Sequence, residues 1–403
     1  LALLLHDVGK SEIHKRGDHP SVSAEMAMRA AKRLRLEASA SHVLRVIIEN
    51  HLLMASVSQR RDLDDPTVIR NFAKQVETIE ALNLLALLTF ADSQGTSDKL
   101  WNGFKDSLLW QLHSRTTMLL SGGTEFVRAE EKQRESLLEE VRGLAPRAID
   151  AEEVDAHFAA LPVRYFRIHT AKEILDDVEL VHHFMRQLIL EQDRGLSPVT
   201  AWMDEPDRGY NVVRICTWDR AGLFSKIAGS LSATGLNILG ARIFTRADGI
   251  ALDTFYVNDG RTGNLASREQ HDKFAALLEK VLVGQDVDLS ALILRQITGR
   301  PVYEAYAGER MTTQIHFDNE ASEMRTLIEV QTEDRLGLLY AISQTFSELS
   351  LDIVRARIVT ERGAAIDSFY VTDLDGDKIV SAERQKRIEH ALRQAIHRLE
   401  TAK

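Results

Sequence analysis

The sequence predicts a multidomain chain in which an all-α N-terminal region and a helical connector precede two α+β units. Three observations carry this reading. From Leu1 to about Leu120, apolar residues recur at three- and four-residue spacings, the period of amphipathic helices. After Gly209 the pattern turns to β-branched runs alternating with helical stretches. That second part also repeats itself, with Asp219 answering to Asp334 and Ala241 to Ala356 at one offset of 115 residues (334 − 219 and 356 − 241). The implied segments are 1–120, a connector over 121–208, and two units at 209–320 and 324–403.

The totals narrow the class. The 403 residues exceed one small core and suggest two to four domains. With 44% hydrophobic and 27% charged residues, the composition is that of a soluble globular protein. A net charge of −10 argues against general nucleic-acid binding and against adhesion to anionic membranes. No stretch reaches the ~18–20 apolar residues of a membrane helix. Leu1–Leu5 is too short for a secretory signal and lacks a basic flank. The single cysteine, Cys216, allows no intramolecular disulfide and fits a reducing, cytoplasmic setting; its neighbours Val213 and Ile215 place it in a buried strand. A start at Leu1, inside a helical pattern, is expected of a segment of a longer protein.

The first ten residues break an apolar run with an adjacent His6-Asp7 pair, then Gly9 and Lys10. A buried carboxylate beside an imidazole needs a partner, and a divalent cation suits both groups. The alternative is a helix end whose His6 and Asp7 face water. Helices are expected near Val22–Leu34, Ser41–Glu49, Pro66–Val76, Ala81–Ala91 and Trp101–Leu120, with Ser21 as an N-cap and Pro66 in a first turn. His19 is expected in a loop, Asn50-His51 at the close of a helix, and Asp92 at the end of the apolar run Leu82–Ala91. These polar residues sit where buried helices are expected to end, and such ends can converge on one site.

The series Leu5-His6-Asp7-Val8-Gly9-Lys10, His19, Glu49-Asn50-His51 and Ala91-Asp92 resembles the HD superfamily of metal-dependent phosphohydrolases. The stretches Asp62-Leu63-Asp64-Asp65-Pro66 and Ala91-Asp92-Ser93-Gln94-Gly95-Thr96-Ser97 further resemble the HD domain of the protein-PII uridylyltransferase/uridylyl-removing enzyme family. The histidine that opens the family pattern would precede Leu1. The resemblance implies His6, Asp7, His19, His51 and Asp92 as ligands of one or two divalent metals, Mg or Mn foremost and Fe or Zn as alternatives. Asp7 and Lys10 are the candidate catalytic residues: Lys10 could stabilise negative charge developing on phosphoryl oxygens, the alternative being a solvated helix-end lysine.

The connector is helical and charged, with a turn at Ser121-Gly122-Gly123-Thr124 and a stop at Gly143 or Pro146. Ala156–Phe166 resembles the segment that follows the HD domain in that family. His169, His182 and His183 lack acidic partners at ligand spacing and read as structural.

Each repeat reads as strand–helix–strand–strand–helix. Thr312–Asp318 reads as the closing strand of the first copy, which leaves the second without an evident last strand. Both copies resemble the ACT domain, a small ferredoxin-like α+β module that commonly binds amino acids. In the turn Asp219-Arg220-Ala221-Gly222-Leu223 and its counterpart around Asp334 and Gly337, glycine permits close approach and the helix N-terminus suits an α-carboxylate. Asp219 and Asp334 could take an α-amino group; Asn237 and Asp352 match positions that contact ligand in the family. The alternative is that the turns only pack helix on strand.

Taken together, the resemblance implies hydrolytic removal of UMP from uridylylated PII signal protein, biased by glutamine bound to the ACT pair, with no nucleic-acid or membrane partner. The uridylyltransferase activity would need a nucleotidyltransferase domain that these residues do not match. Two other readings are a guanosine tetraphosphate hydrolase-like HD enzyme and a catalytically inactive amino-acid-sensing fragment.

Overall fold

The computed structural model describes residues 1–12, 18–96, 101, 103–121, 126–190, 195–297, 312–334, 337–361 and 364–401. Of the turn expected at Ser121-Gly122-Gly123-Thr124, only Ser121 is among them. The chain forms two compact units, Leu1–Phe126 and Val127–Lys403. No helix among the described residues is long and apolar enough to cross a membrane.

The first unit is helical: α1 (Ala2–Leu5), a 3-10 turn (Val8–Glu12), α2 (His19–Leu34), α3 (Ala38–Glu49), α4 (Leu53–Arg60), α5 (Pro66–Val76), α6 (Ile79–Thr96) and α7 (Gly103–Leu120). Its core joins Ala27, Ile48, Leu82, Leu85, Leu109 and Leu112. Two expectations are corrected at α2. Asp18, not Ser21, is the N-cap, accepting from the Ser21 amide at 3.5 Å. The helix begins at His19, which is therefore helical rather than in a loop. Pro20 still occupies the first turn, where its missing N–H costs nothing. A third correction concerns Asp92, which lies inside α6, one turn before its end. Apolar periodicity alone runs past such a residue without marking where the helix stops. The sequence reading also passed over α4, a short helix of eight residues of which half are polar.

The second unit opens with α8 (Phe126–Leu144), α9 (Ala151–Ala160), α10 (Val163–Phe166) and α11 (Ala171–Leu190). The repeats follow: β1 (Val199–Glu205), β2 (Tyr210–Trp218), α12 (Leu223–Ala233), β3 (Leu236–Thr245), β4 (Ile250–Asp259) and α13 (Arg268–Leu282), then α14 (Leu289–Ile297). The second copy is β5 (Gln314–Asp318), β6 (Thr326–Glu333), α15 (Leu338–Glu348), β7 (Leu351–Arg357), the short β8 (Thr360–Glu361), β9 (Ala364–Asp373) and α16 (Ala382–Thr401).

All strands join one sheet, in the order β1-β2-β4-β3-β7-β9-β6-β5, with β8 beside β9. The two copies meet at β3 and β7, where Ala241 faces Ala356. Those residues are each other's counterparts in the repeat (356 − 241 = 115), so the copies are related by a pseudo-two-fold axis at that pair. Both strands carry a register shift at the matching place, Ile238/Gly240 and Ile353/Arg355.

The edge strands overturn one expectation. Gln314–Asp318 pairs with β6 of the second copy, His316 opposite Glu329, and so does not close the first. The first copy is edged by β1, with Trp202 opposite Val213. Each copy thus takes its edge from the chain that precedes it, and the second copy is not left without one. Sequence alternation identifies such a strand but cannot say which neighbour it bonds.

Side chains alternate across the sheet. Ala251, Phe255 and Val257 of β4 pack under the repeat helices with Leu223, Ile227 and Phe346. Ile250 and Leu252 point the other way, into a core built with Phe158, Tyr165, Ile174 and Phe184 of the connector helices. The connector is thereby a layer covering the first copy. Cys216 faces that layer and is fully buried, and burial raises its thiol well above the ordinary range.

Candidate functional site

Four elements of the first unit converge on Asp7. α1 ends at the His6 cap, so His6 and Asp7 leave the helix together. His19 opens α2, His51 follows the Asn50 cap of α3, and Asp92 comes from α6. The His19 and His51 Nε2 atoms lie 3.4 and 3.7 Å from Asp7 Oδ1. His6 Nε2 lies 3.4 Å from Asp7 Oδ2 and 3.3 Å from Asp92 Oδ1. Two sets of ligand atoms, Asp7-His19-His51 and His6-Asp7-Asp92, each fall within 4.8 Å of one another and share Asp7. All five residues expected to bind metal are therefore brought together.

The tautomers decide what these atoms can do. His51 Nδ1 lies 2.7 Å from the Ile48 carbonyl and His6 Nδ1 3.1 Å from that of Leu3. A carbonyl only accepts, so each Nδ1 carries the proton and a neutral ring offers its Nε2 lone pair. Burial is the main cause that lowers the His51 pKa, reinforced by the His6 and His19 charges, which favours that neutral ring. Lone pairs then face carboxylate oxygens, an arrangement that repels unless a cation lies between. The Nε2 atoms of His19 and His51 are buried without a hydrogen-bond partner. The donor set of imidazoles and carboxylates fits a divalent transition metal or Mn better than a pure oxygen site.

Burial pushes the Asp7 carboxyl up, but the Lys10 hydrogen bond and the His6, Lys10 and His51 charges outweigh it and hold it below its ordinary range. Lys10 Nζ donates to Asp7 Oδ2 at 2.6 Å, and its own side chain is exposed.

The sequence reading assigned no role to Gly9 and Ser23. A Cβ on Gly9 would stand 2.6 Å from the His19 carbonyl and 2.7 Å from the Ser23 amide. The Gly9 N–H also donates to Ser23 Oγ at 2.9 Å. The 3-10 turn therefore presses directly on the start of α2, which sets His19 against Asp7. Gly9→Ala is expected to push that contact apart and cost about 1–3 kcal/mol in overpacking. Thermal unfolding and divalent-metal titration of the variant check this; unchanged melting and metal affinity would refute it. The signal was present as a glycine two residues after Asp7 of the His-Asp pair.

The expected amino-acid residues lie on the repeats. Gly222 and Gly337 are N-caps of α12 and α15 with φ of 74° and 85°, a conformation that favours glycine. Arg335 and Leu336 of the second turn lie outside the described residues. Asp219 is exposed and accepts from Thr245 Oγ1 at 3.0 Å. Asp352, the second residue of β7, is exposed by surface area, and partial desolvation of its carboxyl followed by the nearby Asp219 raises its pKa. Asn237 starts β3 and donates to Asn258 Oδ1 at 3.2 Å. Asp334 follows β6 beside the second turn.

Two buried carboxyls escaped the sequence reading. Asp253 and Asp367 occupy matching places in β4 and β9, at 2% and 1% exposure, and one oxygen of each has no hydrogen-bond partner. Burial raises both well above the carboxylate range; Asp219 and Asp352 add to it at Asp253, Asp334 at Asp367. Their signal was an acid inside the largely apolar strand stretches Leu252–Val257 and Ile366–Val371.

Comparison with known proteins adds three findings. Residues 314–400 match the family described as ACR9-like, ACT-like domain, a span that begins with β5. The chain is 33% identical over 399 residues to the bifunctional uridylyltransferase/uridylyl-removing enzyme of Gluconobacter oxydans, covering 97% of this chain and 40% of that protein. Proteins of the same description from Rhodospirillum rubrum and Cereibacter sphaeroides are 32% and 34% identical, over 98% of this chain and 41% and 40% of theirs. The chain thus spans about 40% of the length of the curated relatives it matches. No solved structure gives a significant match.

Proposed function

Because this chain is homologous over nearly its whole length to part of the bifunctional uridylyltransferase/uridylyl-removing enzymes, we propose that it carries the uridylyl-removing half of that chemistry. The reaction is hydrolysis of the phosphodiester joining UMP to a tyrosine of a PII signal protein, governed by glutamine at the ACT pair. One observation carries the hydrolytic part: neutral imidazole lone pairs and two carboxylates face a common point, with buried Nε2 atoms left unpartnered.

His6, Asp7, His19, His51 and Asp92 would hold the divalent metal, with Asp7 able to serve both sets of ligand atoms. The metal, when bound, lowers the pKa of water and screens phosphate charge. Asp7 stays ionised across the neutral range, since the groups around it hold its pKa down. Lys10, exposed beside Asp7, is placed to meet negative charge developing on phosphoryl oxygens. His6 and His51 keep their ring orientation through the Leu3 and Ile48 carbonyls. Two tandem repeats in one sheet favour this reading over a guanosine tetraphosphate hydrolase, whose architecture pairs the HD domain with a single ACT domain.

The test offers uridylylated PII to the chain with Mn, Mg or chelator, with and without glutamine, and measures UMP release. Release that needs the metal and changes with glutamine supports the reading. No release under any of these conditions, from this chain and from one extended upstream, would overturn it.

A further inference from the structure

One buried hydroxyl in the first unit is unexplained by packing. Thr89 lies in α6 at 2% exposure, and its Oγ1 is buried without a hydrogen-bond partner. Elsewhere in the described helices such hydroxyls bond back to their own backbone. Thr116 donates to the Leu112 carbonyl, Ser230 to that of Lys226 and Thr345 to that of Ala341, each at 2.8 Å. Ser93, one turn further along α6, donates in the same way to the Thr89 carbonyl. Thr89 itself makes no such bond. A valine of the same shape would fill the place without stranding a polar atom.

Its place on the helix points to Asp92. Residues three apart share a helix face, and side chains lean toward the helix N-terminus, so Asp92 leans back over Thr89. Thr89 belongs to the buried side of α6, with Leu82, Leu85 and Leu88. The helix packs there against α1 and α3, at whose ends His6 and His51 stand. Neighbours already orient three members of the cluster. Lys10 donates to Asp7, and the Leu3 and Ile48 carbonyls fix the rings of His6 and His51. A carboxylate that binds metal needs such a partner as much as an imidazole does. In the structure Asp92 Oδ1 is turned to His6 Nε2 at 3.3 Å, with the Thr89 hydroxyl one turn behind it.

We propose that Thr89 is a positioning residue of the metal cluster, its hydroxyl donating to the Asp92 carboxylate when the cluster holds a divalent ion. That bond keeps Asp92 in the orientation of a ligand. The stranded hydroxyl is then a cost carried by the metal-free chain and relieved on metal binding, so stability and function oppose each other at this position. The inference deepens the metal-dependent reading above and rests on it.

Two variants of the full chain, Thr89→Val and Thr89→Ser, test this. Thr89→Val keeps the shape and removes the stranded oxygen, so in chelator its first unit is expected to melt about 4 °C above the parent. The same variant should bind Mn about 10–100-fold more weakly in calorimetric titration and lose UMP release from uridylylated PII by a similar factor. Thr89→Ser keeps the hydroxyl and deletes a buried methyl. It should melt below the parent yet hold Mn affinity and UMP release close to the parent's. A threonine that only packs gives no such opposition, because its variants lose affinity only as they lose stability. Parental Mn affinity in Thr89→Val, or a loss in Thr89→Ser as large as in Thr89→Val, would overturn the role. Weakened Mn binding in Thr89→Val, with no UMP release from the unaltered chain, would sustain the role while the hydrolytic reading fell. Absence of divalent-metal binding by the unaltered chain would overturn both.

Discussion

Asp7→Ala is expected to reduce UMP release from uridylylated PII by at least about 100-fold, beyond the 10–100-fold typical of losing an outer-shell partner of a metal ligand. The magnitude follows from its place. Asp7 alone belongs to both groups of ligand atoms, so its loss removes a carboxylate from each. It also orients Lys10, bonded at 2.6 Å, whose ammonium group would then be free to swing away. Metal affinity should fall with activity. The paired repeats lie in the other compact unit, so glutamine binding should be retained. The stability of the first unit should fall modestly at neutral pH, because the surroundings that hold the Asp7 carboxyl below its ordinary range stabilise its ionised form. Full hydrolytic activity in Asp7→Ala would show that the cluster is not the hydrolytic site.

Asp177→Ala is expected to destabilise the second unit by about 1–3 kcal/mol, because the buried Arg214 guanidinium loses its nearest carboxylate and keeps only the Glu173 carbonyl and Asp176 at 3.5 Å. Asp177 receives the Tyr165 hydroxyl at 2.6 Å and Arg214 Nη1 at 3.0 Å, with both ion-pair partners at most 8% exposed. Tyr165 in turn contacts His157 at 3.2 Å, and His157 meets Arg246 at 3.1 Å. This chain of polar groups runs from the connector helices into β2 and the turn between β3 and β4, so its rupture should loosen that layer from the sheet. Amide exchange of β2 and α11 under mild denaturant measures it; protection unchanged from the parent chain would refute the role. The same network sets an acid limit. Burial above all, then the Arg246 and His169 charges, pushes His157 from 6.5 down to about 3. The unfolded chain therefore takes up a proton that the folded chain refuses. Stability from this group is whole above about pH 6.5 and is lost as pH falls toward 3, by about 1.4 kcal/mol per pH unit within that window.

Much of this molecule can be read from its residues. Helical periodicity placed five of the six longer described helices of the first unit, because a stripe facing a core must recur every three to four residues. The repeat was legible as an offset, and with it the matched glycines, since a left-handed helix cap admits few other residues. The metal ligands were legible as residue types interrupting apolar faces, and family resemblance gave them their grouping.

What the sequence left open has one physical cause: a residue's neighbours through space are not written beside it. Which sheet edge Gln314–Asp318 joins depends on backbone hydrogen bonds to β6, and any alternating strand could have made either pairing. Asp253 and Asp367 read as ordinary strand residues until packing showed them buried without a full set of partners. The similar turns at Gly222 and Gly337 have different neighbours, Ser347 behind one glycine and Ile293 behind the other. The sequence by itself determined the elements, the repeat and the chemical types gathered at Asp7. Only the tertiary structure decided the distances at that site and the unlike environments of the two copies, because both arise from contacts between segments far apart in the chain.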